Sequence, residues 1–196
     1  MAKKTWMTRA AGVLLPVSSL PSKYGVGTFG QAAREWVDFL ARAKQRYWQV
    51  LPLGPTSFGD SPYQSYSAFA GNPLFIDLQE LCNAGLLKKG RCKRTPWGED
   101  PSYVDYDTVR AGRDQLLRRA FSHFQHFRVL ERFRKRNKFW VEDYALYMAL
   151  KEKMDGRPWP EWEEGLRLRD PGTLEVWKKR CKEEVDYHVF TQYLFS

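Results

Sequence analysis

Apolar residues follow two patterns in the first third of the chain. Segments 11–17 and 47–51 are short apolar runs ended by proline, serine or glycine, which is typical of buried strands. Segment 31–44 between them carries apolar side chains at helical spacing, and Thr28 with Gln31 fits a capping box at its start. The order strand, helix, strand predicts a βαβ unit with two parallel strands.

The remainder of the chain has a helical pattern. Segments 115–138, 139–153 and 173–196 each predict a long helix, because their apolar residues recur at helical spacing. The last segment contains no terminating glycine, asparagine or proline near its end, so we expect the protein to continue beyond Ser196. The 196 residues are also fewer than the roughly 250 that a closed eight-stranded barrel usually needs.

The net charge of +9 raises the hypothesis of a nucleic-acid partner. The excess is concentrated in segment 110–138, where the basic residues alternate with apolar ones at helical spacing. A solvated helix face explains this pattern, and no nucleic-acid-binding motif accompanies it. We therefore expect no nucleic-acid partner, and a basic nucleic-acid binder is the third of three interpretations.

Cysteine usage and hydropathy favour a cytoplasmic protein. Cys82, Cys92 and Cys181 are odd in number and widely spaced, so they predict neither a disulfide framework nor a metal site. No apolar run approaches the ~18–20 residues of a membrane span, and no apolar segment follows the basic residues at the amino terminus as in a signal peptide. His123 and His126 lack a third ligand, so we expect no metal.

The segment most informative about function is 51–77, a loop in which small and polar residues surround Tyr63, Tyr66 and Phe69. Rings that stack on a pyranose face, beside groups that bind its hydroxyls, are what a sugar site needs. Loops 18–30 and 54–73 both follow predicted parallel strands, and ligands bind beyond the carboxyl ends of such strands. The alternative is structural, since Asp60, Ser61 and Pro62 also suit a simple turn.

Several stretches in a fixed order resemble the 4-α-glucanotransferases, also called amylomaltases or disproportionating enzymes. They are GVLLPVSSLPSKYGVGTFG at 12–30, YWQVLPLGPT at 47–56, GDSPYQSYSAFAGNPLFID at 59–77, FWVEDYALYMALK at 139–151 and VDYHVFTQYLF at 185–195. The resemblance implies an α/β fold, the N-terminal portion of a (β/α)8 TIM barrel with a helical insertion. Segment 10–77 would hold the first two βα units and the substrate-facing loop. Segment 78–196 would be a mainly helical insertion that stops before the third barrel strand.

The resemblance also implies an activity. Members transfer α-1,4-glucan segments to the 4-hydroxyl of an acceptor glucan or glucose by a retaining double displacement, which needs two carboxyl groups ~5 Å apart and no cofactor. None of the 23 Asp and Glu residues matches the family's catalytic carboxylates, so we expect no catalytic residue in this chain and no activity from it alone. The implied partners are α-1,4-glucans and maltooligosaccharides. A non-catalytic carbohydrate-binding module is the alternative.

The family pattern further implies which residues contact the glucan. Tyr63 resembles a tyrosine that stacks near the cleavage point, and its polar neighbours resemble the lining of the same loop. The implied substrate-binding residues are Asp60, Ser61, Tyr63, Gln64 and Asn72. Phe58 stands where relatives carry a tyrosine of a second, remote glucan site, which puts that second site in question.

Overall fold

The computed structural model describes residues 9–100 and 102–196. Residues 1–8, in which the sequence analysis found no signal peptide, and Pro101 lie outside the described residues. The side chain of Phe58 lies outside them as well.

Two short parallel strands and the helix between them form the first part of the molecule. Strand β1 (Gly12–Leu14) pairs in parallel with strand β2 (Tyr47–Gln49), and helix α1 (Gln31–Arg42) connects them. The indole Nε1 of Trp48 donates a hydrogen bond to the Leu15 carbonyl at 2.8 Å. The predicted βαβ unit is therefore confirmed. The strands are shorter than predicted: β1 ends at Leu14, and Pro16 two positions later has no N–H for a ladder.

The capping-box prediction at the start of α1 is wrong. The helix is capped by the backbone of Gly30, with no side-chain hydrogen bond. Thr28 instead donates from Oγ1 to Asp77 Oδ2 at 2.6 Å, which ties the loop after β1 to the loop after β2. A Cβ at Gly30 would lie 1.9 Å from the same carboxylate oxygen, so this approach requires glycine.

Helices make up most of the remaining described chain. They are α2 (Leu78–Asn83), α3 (Lys89–Arg94), α4 (Tyr106–His123), α5 (Phe127–Arg136), α6 (Val141–Lys153), α7 (Glu164–Arg167), α8 (Pro171–Arg180) and α9 (Lys182–Phe195). The predicted helix 139–153 is confirmed as α6. The α2, α3 and α7 helices are short and were not predicted from the sequence.

Two predicted helices are each divided in the structure. Segment 115–138 is broken at Phe124, whose backbone is extended (φ −78°, ψ 124°) and whose buried ring lies 5.0 Å from that of Phe190. Segment 173–196 is broken at Cys181, which is fully buried between α8 and α9. In both places the chain turns so that an apolar side chain reaches the core, at the cost of continuous helical hydrogen bonding.

Helix α9 joins the helical part to the loop after β2. The side-chain amide of Gln192 pairs with both backbone groups of Gly71: Oε1 accepts from the Gly71 N–H at 2.8 Å and Nε2 donates to its carbonyl at 2.9 Å. The ring of Phe195 covers Gly71 so closely that a Cβ there would lie 2.1 Å from it. Gln192 is buried, so these two bonds are made away from solvent.

No helix in the two described ranges is both long enough and apolar enough to cross a bilayer.

Replacing Gln192 tests how much this junction contributes. We expect Gln192→Leu to lower the free energy of unfolding by about 2–4 kcal/mol, because the buried N–H and C=O of Gly71 lose their partners. Urea denaturation followed by circular dichroism measures this loss. The control is Gln79→Leu on α2, because Gln79 forms its hydrogen bond at the surface, with Asn83 of the same helix. Its free energy of unfolding should change by no more than ~0.5 kcal/mol. Equal losses of unfolding free energy in the two variants would contradict the role of Gln192 as the buried junction between α9 and the loop.

Candidate functional site

The loops that follow β1 and β2 lie against each other at the carboxyl end of the parallel strands. The Phe29 N–H donates to the Phe75 carbonyl at 3.1 Å, close to the hydrogen bond between Thr28 and Asp77. Asp77 also caps α2, since its Oδ1 accepts from the Glu80 N–H at 3.0 Å. This is the edge of a parallel sheet at which ligands usually bind.

A buried arginine binds the backbone of both loops. Arg113 Nη1 donates to the Ile76 carbonyl at 2.8 Å, and Nη2 lies 3.5 Å from the Tyr24 carbonyl. Burial lowers the pKa of Arg113 to about 10, and the charge of Asp77 opposes that shift. The guanidinium therefore stays charged at neutral pH. It holds one backbone carbonyl from each loop.

Asp60 lies in a tight turn within the second loop. Thr56 and Ser65 form an antiparallel bridge across this turn, and both Gly59 (φ 71°) and Asp60 (φ 53°) have left-handed backbone conformations. The Asp60 carboxylate accepts from Thr56 Oγ1 at 3.1 Å and forms an ion pair with Arg110 of α4. Left-handed conformation is costly for most residues but better tolerated by aspartate. Asp60 therefore shapes the loop through these contacts.

Tyr63 lies at the rim of an open groove. Its side chain is 74% exposed, and the groove has a volume of about 430 Å³, within the range typical of small-ligand sites. The groove floor is held by internal hydrogen bonds, since Ser65 Oγ donates to the Ser67 carbonyl at 2.8 Å and Ser67 Oγ accepts from two backbone N–H groups. A rigid floor beneath an exposed ring is suited to binding one face of a sugar.

The other residues predicted to bind substrate do not lie in this groove. Asn72 is buried, and its Oδ1 accepts from the Leu74 N–H at 3.0 Å, which caps the short 3-10 helix Pro73–Phe75. Asn72 and Asp60 together line a second, smaller cavity of about 100 Å³ between the two loops. Gln64 is exposed and Ser61 Oγ accepts from the Tyr63 N–H at 3.4 Å, and neither lines these two spaces in the described structure. The structure thus brings Asp60 and Asn72 together, with Tyr63 at the neighbouring groove.

An aromatic cluster beside the groove was missed in the sequence analysis. Phe69 of the loop packs edge-on against Phe139, with ring centroids 5.2 Å apart, and stacks on Trp140 at 6.4 Å. Phe69 and Phe139 are both exposed. The two partners stand just before α6, about seventy positions away in the chain, and no local pattern links them to the loop.

The groove offers no pair of acidic groups. Its described lining contains neither aspartate nor glutamate, and Asp60 in the smaller cavity is engaged by Arg110. No group of three or more His, Cys, Asp or Glu that could hold a metal occurs in 9–100 or 102–196. These surfaces can therefore bind and orient a neutral polyhydroxyl ligand. They do not supply a nucleophile and an acid.

Comparison with known proteins gives consistent matches over nearly the whole chain. The sequence profile of the family described as 4-alpha-glucanotransferase matches residues 15–196. The 4-alpha-glucanotransferase of Streptococcus pneumoniae is 47% identical over 193 residues, and that of Thermus thermophilus is 46% identical over 199. These alignments cover 95% and 96% of this chain but only 38% of each relative, so the chain spans well under half of their length.

A solved structure agrees with the sequence matches. The amylomaltase from Streptococcus agalactiae in complex with acarbose superposes with a TM-score of 0.91 at 40% identity, covering 96% of this chain and 39% of that one. Strand β2, the loop around Tyr63 and the helices all fall within residues 15–196, which the family profile matches, and β1 lies just before them. The chain therefore belongs to the 4-alpha-glucanotransferase family.

Proposed function

We propose that this chain is the amino-terminal part of a 4-α-glucanotransferase and forms one wall of its glucan-binding cleft. The observation that carries the proposal is the exposed ring of Tyr63 above a rigid, uncharged groove at the carboxyl end of two parallel strands. A ring in this setting offers a stacking face to a pyranose. Membership of the family supports an α-1,4-glucan or maltooligosaccharide as the ligand.

The fold proposal is that segment 10–77 forms the first two βα units of a TIM barrel and that 78–196 is a mainly helical insertion. The parallel pairing of β1 and β2 through α1 supports it. So do Leu14 and Tyr47, whose side chains are 53% and 61% exposed although they lie on the strands themselves. Further barrel strands would cover these apolar groups.

The proposed reaction is a retaining double displacement. A carboxylate attacks the anomeric carbon of the donor glucan and breaks the α-1,4 bond, while a second carboxyl group protonates the leaving oxygen. The 4-hydroxyl of an acceptor then displaces the carboxylate and restores an α-1,4 bond. Both carboxyl groups would come from outside this chain, because the groove lining described here has none.

This chain would contribute the position of the sugar. Tyr63 stacks on the C–H face of one glucose unit in the groove. The Ser61 hydroxyl and the exposed Gln64 amide lie outside the groove on the same loop, and they would bind hydroxyls of a glucan that extends past its rim. Asp60 and Asn72 hold the loop in the shape that presents these groups. No metal or organic cofactor takes part. The proposed location is the cytoplasm, where maltooligosaccharides would be the partners.

A non-catalytic carbohydrate-binding module is the alternative function. The carboxylate-free groove and the exposed rings of Phe69 and Phe139 favour it, because such a surface binds glucan without cleaving it. A chimaera distinguishes the two, in which this chain replaces the matching segment of the Streptococcus pneumoniae relative.

The first prediction of this proposed function concerns glucan-transferring activity. We expect the chain alone to release no glucose from maltotriose, and the chimaera to release it at a rate within about tenfold of the parent enzyme. Glucose oxidase measures the release. A folded but inactive chimaera would contradict the enzyme proposal and favour the alternative, a non-catalytic carbohydrate-binding module. Glucose release by the short chain would contradict the absence of catalytic carboxylates, and Asp60 would then be the first residue to replace.

The second prediction concerns Tyr63. We expect Tyr63→Ala to weaken glucan binding roughly 3- to 10-fold, because a stacking contact contributes about 0.5–1.5 kcal/mol. Tyr63→Phe keeps the ring and should bind nearly as well as the original chain. Retardation in gels containing glycogen measures the affinity. Tyr103→Ala is the matched control, since Tyr103 is a comparably exposed tyrosine that does not line this groove. Equal weakening by both alanine variants would argue against a stacking role.

A further inference from the structure

Two of the three cysteines lie side by side where α2 and α3 meet. The Sγ atoms of Cys82 and Cys92 are 3.8 Å apart. Cys82 is half-buried and Cys92 is fully buried, whereas Cys181 belongs to a different core cluster between α8 and α9. A disulfide needs ~2.05 Å between sulfurs, so a side-chain movement of ~1 Å by each would bring them to bonding distance.

The backbone holds this pair together without any covalent link. After α2 the chain reverses at Gly85, whose φ is 76°, and the N–H groups of Leu86 and Leu87 both donate to the Leu81 carbonyl, at 2.9 and 3.2 Å. A left-handed backbone conformation favours glycine, so the local sequence itself determines this chain reversal. It places α3 back against the end of α2.

The two sulfurs have different surroundings. Burial raises the pKa of Cys92 to about 11, and the neighbouring Cys82 adds to the shift, so Cys92 stays protonated at neutral pH. Cys82 is the less buried of the two residues, so it is the one that a dissolved reagent would reach first. The arrangement therefore pairs a partly exposed cysteine with a fully buried one.

We propose that Cys82 and Cys92 form a peroxide-sensitive dithiol that closes to an intramolecular disulfide. The Cys82 thiolate attacks a hydroperoxide: the S–O bond forms, the O–O bond breaks, and the departing oxygen takes a proton to leave as water or an alcohol. Cys92 then gives up its proton and attacks the sulfur of the sulfenic acid. The S–S bond forms, the S–O bond breaks, and hydroxide leaves as water. The dithiol is oxidised by two electrons and the peroxide is reduced by two.

The bond would stiffen the base of the candidate site. Helix α2 begins at the cap residue Asp77, which holds Thr28 of the other loop. On the α3 side, the Cys92 carbonyl accepts from Trp97 Nε1 at 2.9 Å, and the Trp97 ring packs on that of Tyr24. The disulfide would therefore link covalently the two short helices beneath both loops. In a reducing compartment it would be reversible, which is consistent with the absence of a disulfide framework.

The test is thiol counting after brief treatment of the folded chain with hydrogen peroxide. Catalase stops the reaction, N-ethylmaleimide labels the remaining thiols in denaturant, and mass spectrometry counts the adducts. The untreated chain has three cysteines to label, and we expect the treated monomer to lose two adducts and keep the one on Cys181. Dithiothreitol should restore all three.

Three variants and one change of solvent make the result specific. Cys181→Ser should still lose both of its adducts, whereas Cys82→Ser should keep both on Cys92 and Cys181. Cys92→Ser is the reciprocal variant. Because Cys92 is fully buried, this variant is the one most at risk of misfolding, and the test then rests on Cys82→Ser, whose site is only half-buried. Retention of all three adducts would overturn the proposal, as would a bridge that includes Cys181. So would slower closure in the folded chain than in urea, since proximity in the fold is the premise.

Discussion

The described structure depends on one buried side chain, the amide of Gln192, which pairs with both backbone groups of Gly71. A side-chain amide offers both a hydrogen-bond donor and an acceptor, so it can bind the N–H and the C=O of one residue at once. It thereby takes the place of the backbone partner that a strand or helix would provide. With Phe195 packed where a Cβ would stand, Gly71 is fixed on α9. The loop from β2 therefore ends at a rigid point of the helical part, and the Pro73–Phe75 turn and the Asp77 cap continue from it.

That anchor explains how a long loop can be both ordered and exposed. Its base is fixed by hydrogen bonds to the side chains of Asn72, Asp77 and Arg113. Those of Asn72 and Arg113 satisfy backbone groups that would otherwise be buried without partners. Its outer part instead exposes the rings of Tyr63 and Phe69 to solvent. Exposed rings on a rigid base keep apolar surface available and lose little conformational entropy when a ligand covers them. A binding surface benefits from this division, whereas a purely structural loop would bury its rings.

The sequence predicted the parts of the fold that rest on local pattern. Short apolar runs ended by turn residues identified both strands, and helical spacing identified α1 and α6. The divided helices were not predicted, because apolar spacing continues through Phe124 and Cys181 and only packing against distant helices turns the chain there. In the site, Asp60 and Tyr63 could be identified because they occur in one stretch. Arg110, Phe139 and Gln192 could not, since each reaches the loop from far along the chain and no local signal marks it.

The geometry also separates binding from chemistry within this part of the protein. Asp60 is the acidic residue in the described lining of the smaller cavity beside the groove, and its Oδ1 accepts from Thr56 and pairs with Arg110. A nucleophile of a retaining transfer needs a free carboxylate oxygen facing the anomeric carbon and a second carboxyl group across the bond. In the described part of the chain, neither the groove nor the smaller cavity shows a second carboxyl group that could face Asp60 across a bond. Shaping the loop that presents the proposed ligand is therefore the role that the contacts of Asp60 favour.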